Sequence, residues 1–389
     1  MQFSQLASLF LLLLTVPGYL LLVRETLSLV YRFSLPWFLW LAFNGLLLVT
    51  CFVVPWMLFR HVGLHGPRVL RGGHWSRVPL GWQLYVAACL GAVGVTAILR
   101  ARRRRDPALV WANGRTVDVA RELAPCPAGA GVRSVMARLP GNDIFRVEVN
   151  ERQIVLPSLP RGLDGLSILH LTDLHLNGTP GRTFFERALD LAAPLNCDLI
   201  ALTGDILDRS ALAEWLPATL GRLEAPLGRY FVLGNHDALD EPEKIRDAMT
   251  CLGWTHVGGR TVTAEAQGCA IVIAGSERPW LGGPPILPNP DAGSPAALRL
   301  LLSHTPAEFK WAQSQRYDLV LAGHLHGGQI NFPLFGSVTG GRHHAGVFSA
   351  GPVPTVMHVS RGLGVMFPVR LNCPAEITKL ILRDGRSQV

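Results

Sequence analysis

Residues 166–175 read LSILHLTDLH, and the reading of this stretch decides the fold. Its first seven residues are a short, bounded run rich in Leu and Ile, the composition of a strand buried on both faces of an α/β sheet. The run ends in Asp173 and His175. Four further runs repeat the arrangement. Residues 199–203 precede Gly204-Asp205, 230–233 precede Gly234-Asn235-His236-Asp237, 298–302 precede His304, and 319–322 precede Gly323-His324-Leu325-His326. Ligands of such sheets collect beyond the carboxyl ends of the strands. Five strands therefore carry the carboxylates of Asp173 and Asp205, one amide and five imidazoles to one rim. That inventory reads as a metal site.

A site with two cations about 3.5–4 Å apart needs a carboxylate to bridge them and separate ligands for each ion. Mixed oxygen and imidazole donors suit Mn, Fe or Zn better than a calcium cage built of oxygen alone. Residues two apart in a strand share a face, so pleated geometry carried past the strand end would let Asp173 and His175 grip one ion. His324 and His326 would face the same pocket. Gly204, Gly234 and Gly323 are expected to allow sharp turns at the rim. Taken singly, the fragments are ordinary: D-x-H is commonly a loop carboxylate beside a surface histidine, and G-D or G-N-H-D a turn. Their recurrence after five strands favours the metal reading. His170, three residues before Asp173, is expected on the other sheet face as a buried structural histidine.

At these residues the chain resembles the calcineurin-like metallophosphoesterases, whose pattern is D-x-H, G-D, G-N-H-[DE], a lone His and G-H-x-H. The strings HLTDLH, VLGNHD, LSHTP and AGHLHGGQI look most like the bacterial YkuE-like branch, which is often membrane-attached. The resemblance runs from about Asp143 to Arg383 and implies roles for individual residues. Asp173, His175 and His326 would bind the first of two divalent ions, Asp205 would bridge, and Asn235, His304 and His324 would complete the second. His236 is implied as the catalytic group; with Asn235 it contacts the phosphate, and it protonates the leaving oxygen. Leu325 departs from the Thr more usual in the family, but it lies between ligands and is expected to point away. Asp237 would either orient His236 or cap a turn. The expected fold class is α/β, a β-sandwich with helices on both outer faces, preceded by an all-α membrane region.

Before Arg105 the chain changes character. Three uncharged stretches, at about 5–23, 35–58 and 78–99, each reach the roughly 20 apolar residues that cross a bilayer. Trp37, Trp40, Trp56 and Trp82 lie near their ends, where an interfacial aromatic belt is expected. Glu25 is the sole acidic residue in the first 105, which leaves no solvated face for a soluble helical bundle. The first stretch lacks a basic leader and a small-residue cleavage site, so a cleaved signal peptide is not expected. Three spans separate the N-terminus from the enzyme. Arg24, Arg32, Arg100 and residues 102–105 then oppose Arg60, Arg68, Arg71 and Arg77. The positive-inside rule favours a cytoplasmic catalytic domain at a bacterial inner membrane.

The remaining composition agrees with a membrane-attached enzyme: 389 residues, 49% hydrophobic, with a formal net charge of +8 that is concentrated around the apolar segments. The basic run at 100–105 is expected to meet anionic lipid headgroups. No aromatic interleaving or nucleic-acid motif accompanies it, so no nucleic acid is expected as a partner. Seven scattered cysteines without C-x-x-C do not form a disulfide framework. Residues 1–105 are read as the membrane region, 106–141 as a linker and 142–389 as the metallophosphoesterase domain. Within that domain 144–155 reads as a strand, and 183–193, 211–220 and 242–252 read as helices. Residues 269–275, 354–359 and 376–382 read as strands of a second sheet, and 280–295 and 331–348 as rim loops.

The function expected from these features is hydrolysis of a phosphodiester or pyrophosphate bond in a lipid-linked or cell-envelope substrate, by attack of a hydroxide that the ions supply. Two alternatives stand beside it: a membrane-tethered phosphomonoesterase or protein phosphatase, and an inactive membrane scaffold. The complete ligand set with His236 argues against the last.

Overall fold

The computed structural model describes residues 3–30, 37–102, 105–287, 297–333, 336–337, 343–350 and 355–388. They fall into two compact units, residues 1–104 with 331–341, and 105–330 with 342–389.

The first unit is helical. Helices α1 (Phe3–Val30), α2 (Trp37–Leu58) and α3 (Leu80–Ala101) supply three segments long and apolar enough to cross a membrane, Ser4–Thr26, Gly45–Leu64 and Leu80–Ala101. These mark the chain as a membrane protein. The second segment runs further toward the C-terminus than the expected 35–58, because α2 continues into a π-helical turn at Phe59–Leu64; residues 35 and 36 lie outside the described residues. Helices α1 and α3 approach closely at Gly18, where a β-carbon would collide with the backbone of Cys89. Small residues permit such contacts between apolar helices. A short ribbon, Asn331–Phe332 with Gly336–Ser337, belongs to this unit. Arg24 Nη1 donates to the Ser337 carbonyl at 3.0 Å, and Phe332 packs beside Leu21 and Val93. The expected rim loop at 331–348 is therefore divided: it starts as this ribbon and ends in a strand of the second unit, with 334–335 and 338–342 outside the described residues.

The second unit is a mixed α/β sandwich. Its strands are β1 (Leu109–Asp118), β2 (Arg146–Leu156), β3 (Ser167–Leu171), β4 (Leu199–Thr203), β5 (Arg229–Val232), β6 (Thr255–His256), β7 (Thr261–Ala266), β8 (Cys269–Ser276), β9 (Ala297–Ser303), β10 (Leu319–Ala322), β11 (Gly346–Ala350), β12 (Thr355–Val359) and β13 (Ala375–Asp384). One sheet has the order β1-β2-β13-β3-β4-β5-β6, the other β11-β12-β10-β9-β8-β7. Ile168, Leu199, Ala201, Val232 and Leu380 from the first meet Ile271, Leu300, Leu302, Leu319 and Leu321 from the second in the central core. On the outer face of the first sheet, Leu169, Leu171, Ile200 and Phe231 pack on α6 (Arg182–Asp190) and α8 (Pro242–Cys251) through Phe184, Phe185, Ile245 and Met249. On the outer face of the second, Leu301, Val320 and Met357 pack on α9 (Phe309–Ser314) through Phe309 and Ala312. Strands covered on both faces favour apolar residues on both, which is why they read as near-continuous runs.

Three expectations are corrected. The strand at 376–382 lies in the first sheet, as β13, parallel to β2 and antiparallel to β3. Residues 106–141 are structured: β1 pairs antiparallel with β2, and α4 (Val119–Glu122) and α5 (Val132–Ala137) follow. β1 is an exposed edge strand, so it carries no apolar alternation to betray it. Residues 211–220 form 3-10 turns, Ser210–Trp215 and Leu220–Arg222, in place of an α-helix. Pro217 lacks the N–H that a continuing α-helix would donate. Residues 288–295 of the loop expected at 280–295 lie outside the described residues and leave that expectation as it stood.

Candidate metal centre

Strands β3, β4 and β5 of one sheet and β9 and β10 of the other end at a common rim, and all eight expected site residues follow those ends. They do not arrive by the pleat. Asp173, His175, Asp205, His324 and His326 have φ of 51°, 44°, 50°, 69° and 48°, so the expected continuation of strand parity fails. Each such residue costs on the order of 1–3 kcal/mol, a concentration of strain found where function holds it in place. Of the three rim glycines only Gly204 takes a positive φ, +89°. Gly323 serves close approach instead, because a β-carbon there would collide with the Asp173 carboxylate.

The side chains converge as two sets sharing one carboxylate. In the first, His175 Nε2 and His326 Nε2 lie 2.9 Å apart, with Asp173 Oδ1 3.6 Å from the latter and 4.0 Å from the former. In the second, His304 Nε2 lies 3.0 Å from Asn235 Oδ1 and 3.2 Å from His324 Nδ1. Asp205 Oδ2 sits between them, 3.4 Å from His175 Nε2 and 3.2 Å from His304 Nε2. Bare imidazole nitrogens facing one another around buried carboxylates repel or strand their lone pairs, and a cation is the group that satisfies them. The mixed N and O donors fit divalent ions of the Mn, Fe or Zn kind.

Charge follows burial and pairing. Burial first, then the charge of His304, pushes His324 down to about 4, and burial with His175 holds His326 well below the imidazole range. Burial thus favours the neutral form of both rings. His304 is opposed by burial, yet Asp205 outweighs it and raises the ring to about 9. Burial likewise opposes ionisation of Asp205, but His304 and His175 hold it below the carboxylate range.

Each donor is aimed by a second contact, which fixes ring tautomers and carboxylate orientation. His304 Nδ1 donates to the Thr203 carbonyl at 2.8 Å. Asp205 Oδ1 accepts the His236 N–H at 2.8 Å, leaving Oδ2 for the shared position. Asp173 accepts from Thr172 Oγ1 at 2.8 Å and from the His324 N–H at 3.0 Å. Asp208 aims two rings: its Oδ1 lies 2.6 Å from His175 Nδ1 and 3.2 Å from His236 Nδ1, while Oδ2 accepts from Asn177 Nδ2 at 2.8 Å. Burial opposes its ionisation, but His175 and His236 hold the carboxyl well below its usual range. His175, Asp208 and His236 also lie close enough to hold an ion themselves. That would use His175 through Nδ1 when its Nε2 already faces the first set, so an orienting role is the consistent one.

Asp208 escaped the sequence reading; the signal was a second acid three residues after Asp205, in GDILD. Arg370 escaped it too. Wholly buried, it donates to the carbonyls of Arg361, Gly362 and Gly364 at 2.8, 3.2 and 2.8 Å. It thereby pins the loop whose Gly364 N–H bonds the Asp173 carbonyl at 2.7 Å. Asp237 takes the turn role: its carboxylate accepts from the N–H groups of Ile206, Leu207 and Gly234. His170 is buried as expected, bonded to His358 Nδ1 at 2.8 Å and Thr203 Oγ1 at 3.0 Å. Trp280 walls the second set, its ring 5.5 Å from His304 and 5.2 Å from His324.

Comparison with known proteins bears on this rim. The family model described as calcineurin-like phosphoesterase matches residues 166–328, which hold all eight side chains. A bovine (Bos taurus) chain named transmembrane protein with metallophosphoesterase domain is 30% identical over 333 residues, 78% of this chain and 74% of that one. The metallophosphoesterase YkuE of Bacillus subtilis is 30% identical over 248 residues, 61% of this chain and 86% of that one. The phosphodiesterase YaeI of Escherichia coli is 30% identical over 224 residues, 55% of this chain and 81% of that one.

Proposed function

Since the chain belongs to the calcineurin-like phosphoesterase family, and is a metal-dependent phosphoric ester hydrolase, we propose that it is a membrane-anchored binuclear phosphodiesterase. Its substrate in this reading is a phosphodiester or pyrophosphate in a lipid-linked or envelope molecule. The observation that carries the binuclear part is Asp205 Oδ2, which lies within 3.4 Å of a nitrogen from each set. Asp173, His175 and His326 would hold one ion, and Asn235, His304 and His324 the other, with Asp205 shared. When bound, divalent ions would offset the negative charge of the ester and lower the pKa of water toward neutrality. The chain's own contribution is orientation and proton supply. Asp208 accepts from His236 Nδ1, which leaves Nε2 as the ring nitrogen that would hand a proton to the leaving oxygen; such transfer contributes typically about 10²–10⁴-fold. Asn235 and His236 would contact the phosphate from the short helix α7 (Asn235–Leu239).

Two features support an amphiphilic substrate. Apolar helices make up much of residues 1–104. In the catalytic unit, Val132, Val135, Met366 and Phe367 are exposed, and Arg133 Nη2 ties their two segments by donating to the Met366 carbonyl at 2.7 Å. Exposed apolar clusters of this kind mark lipid or protein contacts. Residues 1–104 form the anchor and residues from Arg105 onward the enzyme, with the enzyme on the cytoplasmic face of a bacterial inner membrane on the count of flanking arginines. The test is hydrolysis of bis-p-nitrophenyl phosphate against p-nitrophenyl phosphate with Mn²⁺, followed by lipid profiling of a deletion strain. Faster diester turnover and one accumulated phosphodiester are expected. Turnover of the monoester alone would favour a phosphomonoesterase, and turnover of neither would remove the enzymatic reading.

A further inference from the structure

Next to the candidate centre lies a cavity of about 400 Å³ that no step above uses; its walls include Arg133, Arg182, Arg209, Trp215, Asn177 and Gly178. Its link to the centre is covalent and short. Asn177 follows His175 by two residues; it lines the cavity, and its side chain donates to Asp208 Oδ2 at 2.8 Å. The other oxygen of that carboxylate meets His175 and His236. Arg209 is the residue after Asp208.

The cations of this cavity are poorly neutralised. Arg182 pairs with Glu186 at 2.7 Å, but among the described residues the Arg209 guanidinium has no ion pair. Arg133 donates to one backbone carbonyl, and its Nε is buried without a partner. Burial, chiefly, lowers the pKa of Arg133; Asp208 opposes the shift and Arg209 adds to it. Two guanidiniums with free donors in a concave wall form a fork for an oxyanion. Trp215 adds a flat apolar wall beside them.

We propose that this cavity binds a second phosphate carried by the same substrate, a few ångströms from the phosphate that is hydrolysed. The substrate class is then a phosphoester bearing two phosphates, with Arg133 and Arg209 as specificity-determining residues. The inference rests on the phosphoesterase reading of the neighbouring rim.

The experiment compares equilibrium binding of thymidine 3′,5′-bisphosphate and thymidine 5′-monophosphate to the full chain in detergent with Mn²⁺. Tighter binding of the bisphosphate, by about tenfold or more, is expected from one additional charge-assisted contact. The affinity ratio should fall toward one in Arg209→Gln and in the Arg133→Gln, Arg209→Gln double variant. Arg209 is exposed and unpaired, so its single variant does not endanger folding. A ratio near one in the unaltered chain, or a ratio that survives the double variant, overturns the inference. Free inorganic phosphate that strengthens monophosphate binding as much as the tethered phosphate does would also overturn it, by making the cavity a separate anion site. The p-nitrophenyl esters of the two nucleotides tell the two readings apart. Selective binding without turnover of either ester keeps the cavity and removes the catalytic proposal; turnover without selectivity does the reverse.

Discussion

Replacing Asp208 by Asn tests the site at its least expected member. The exchange keeps shape and removes charge. The carboxylate receives His175 Nδ1 at 2.6 Å, His236 Nδ1 at 3.2 Å and Asn177 Nδ2 at 2.8 Å, whereas an amide offers one acceptor oxygen and sets an NH₂ against at least one of these donors. A hydrogen bond to a charged partner is worth about 1.5–3 kcal/mol, which is roughly 10–10²-fold in rate or affinity. Loss at His175 should weaken metal binding by about 10–100-fold, the usual effect of removing a ligand's orienting partner. Loss at His236 should slow the chemical step separately. Turnover would be measured across a Mn²⁺ series with a diester whose leaving group is an alkoxide and with bis-p-nitrophenyl phosphate. At saturating metal the alkoxide diester should remain slowed by about 10–10²-fold, and the nitrophenyl ester by less, because nitrophenolate departs without a proton. A midpoint in Mn²⁺ unchanged from the parent, together with alkoxide turnover within about threefold of it, would refute the orienting role, since such a change is below the worth of one charged hydrogen bond.

Asp205→Asn should lose activity by at least about 10³-fold along with metal content, since an amide carries no charge to hold two cations; metal analysis of the purified variant checks this, and near-normal occupancy would remove the binuclear reading. His236→Ala should slow turnover while both ions stay bound, and the loss should shrink for nitrophenyl esters; loss of both ions would show that His236 is a ligand. Glu376→Ala should destabilise the catalytic unit by about 3–5 kcal/mol, because it leaves Arg152 without the carboxylate it meets at 2.5 Å and Arg361, 3.3 Å from the same group, with Glu148 alone. Burial opposes ionisation of Glu376, but the two arginines hold it well below 4.5. Its stabilisation is therefore complete above pH 4.5 and fades as pH falls below that value, so melting curves of parent and variant should converge in acid. A chain beginning at Arg105 should fold, bind metal and cleave a small diester near the parent rate, yet lose activity on an amphiphilic diester in vesicles as its local concentration falls. A chain beginning at residue 133 lacks β1 and should be less stable; equal stability would mean that the β1–β2 ladder contributes nothing.

The sequence by itself determined the chemistry of this rim. The runs ahead of Asp173, Asp205, Asn235, His304 and His324 are mostly apolar because sheet and helix cover both faces, and that signal is local. The three apolar helices are legible for the same reason, since the bilayer imposes length and composition on each segment alone. Tertiary structure decided what depends on distant partners. The sheet that β13 joins is set by pairing across more than 200 residues, and its alternation is equally good for either sheet. β1 went unread because an edge strand facing water needs no apolar pattern. The candidate ligands converge through left-handed turns at Asp173, His175, Asp205, His324 and His326, a conformation that no residue pattern specifies and that only the surrounding packing enforces. Asp208 became part of the site only when the fold set one carboxylate against rings from two strand ends, and Arg370 only when the fold wrapped a loop around a buried guanidinium.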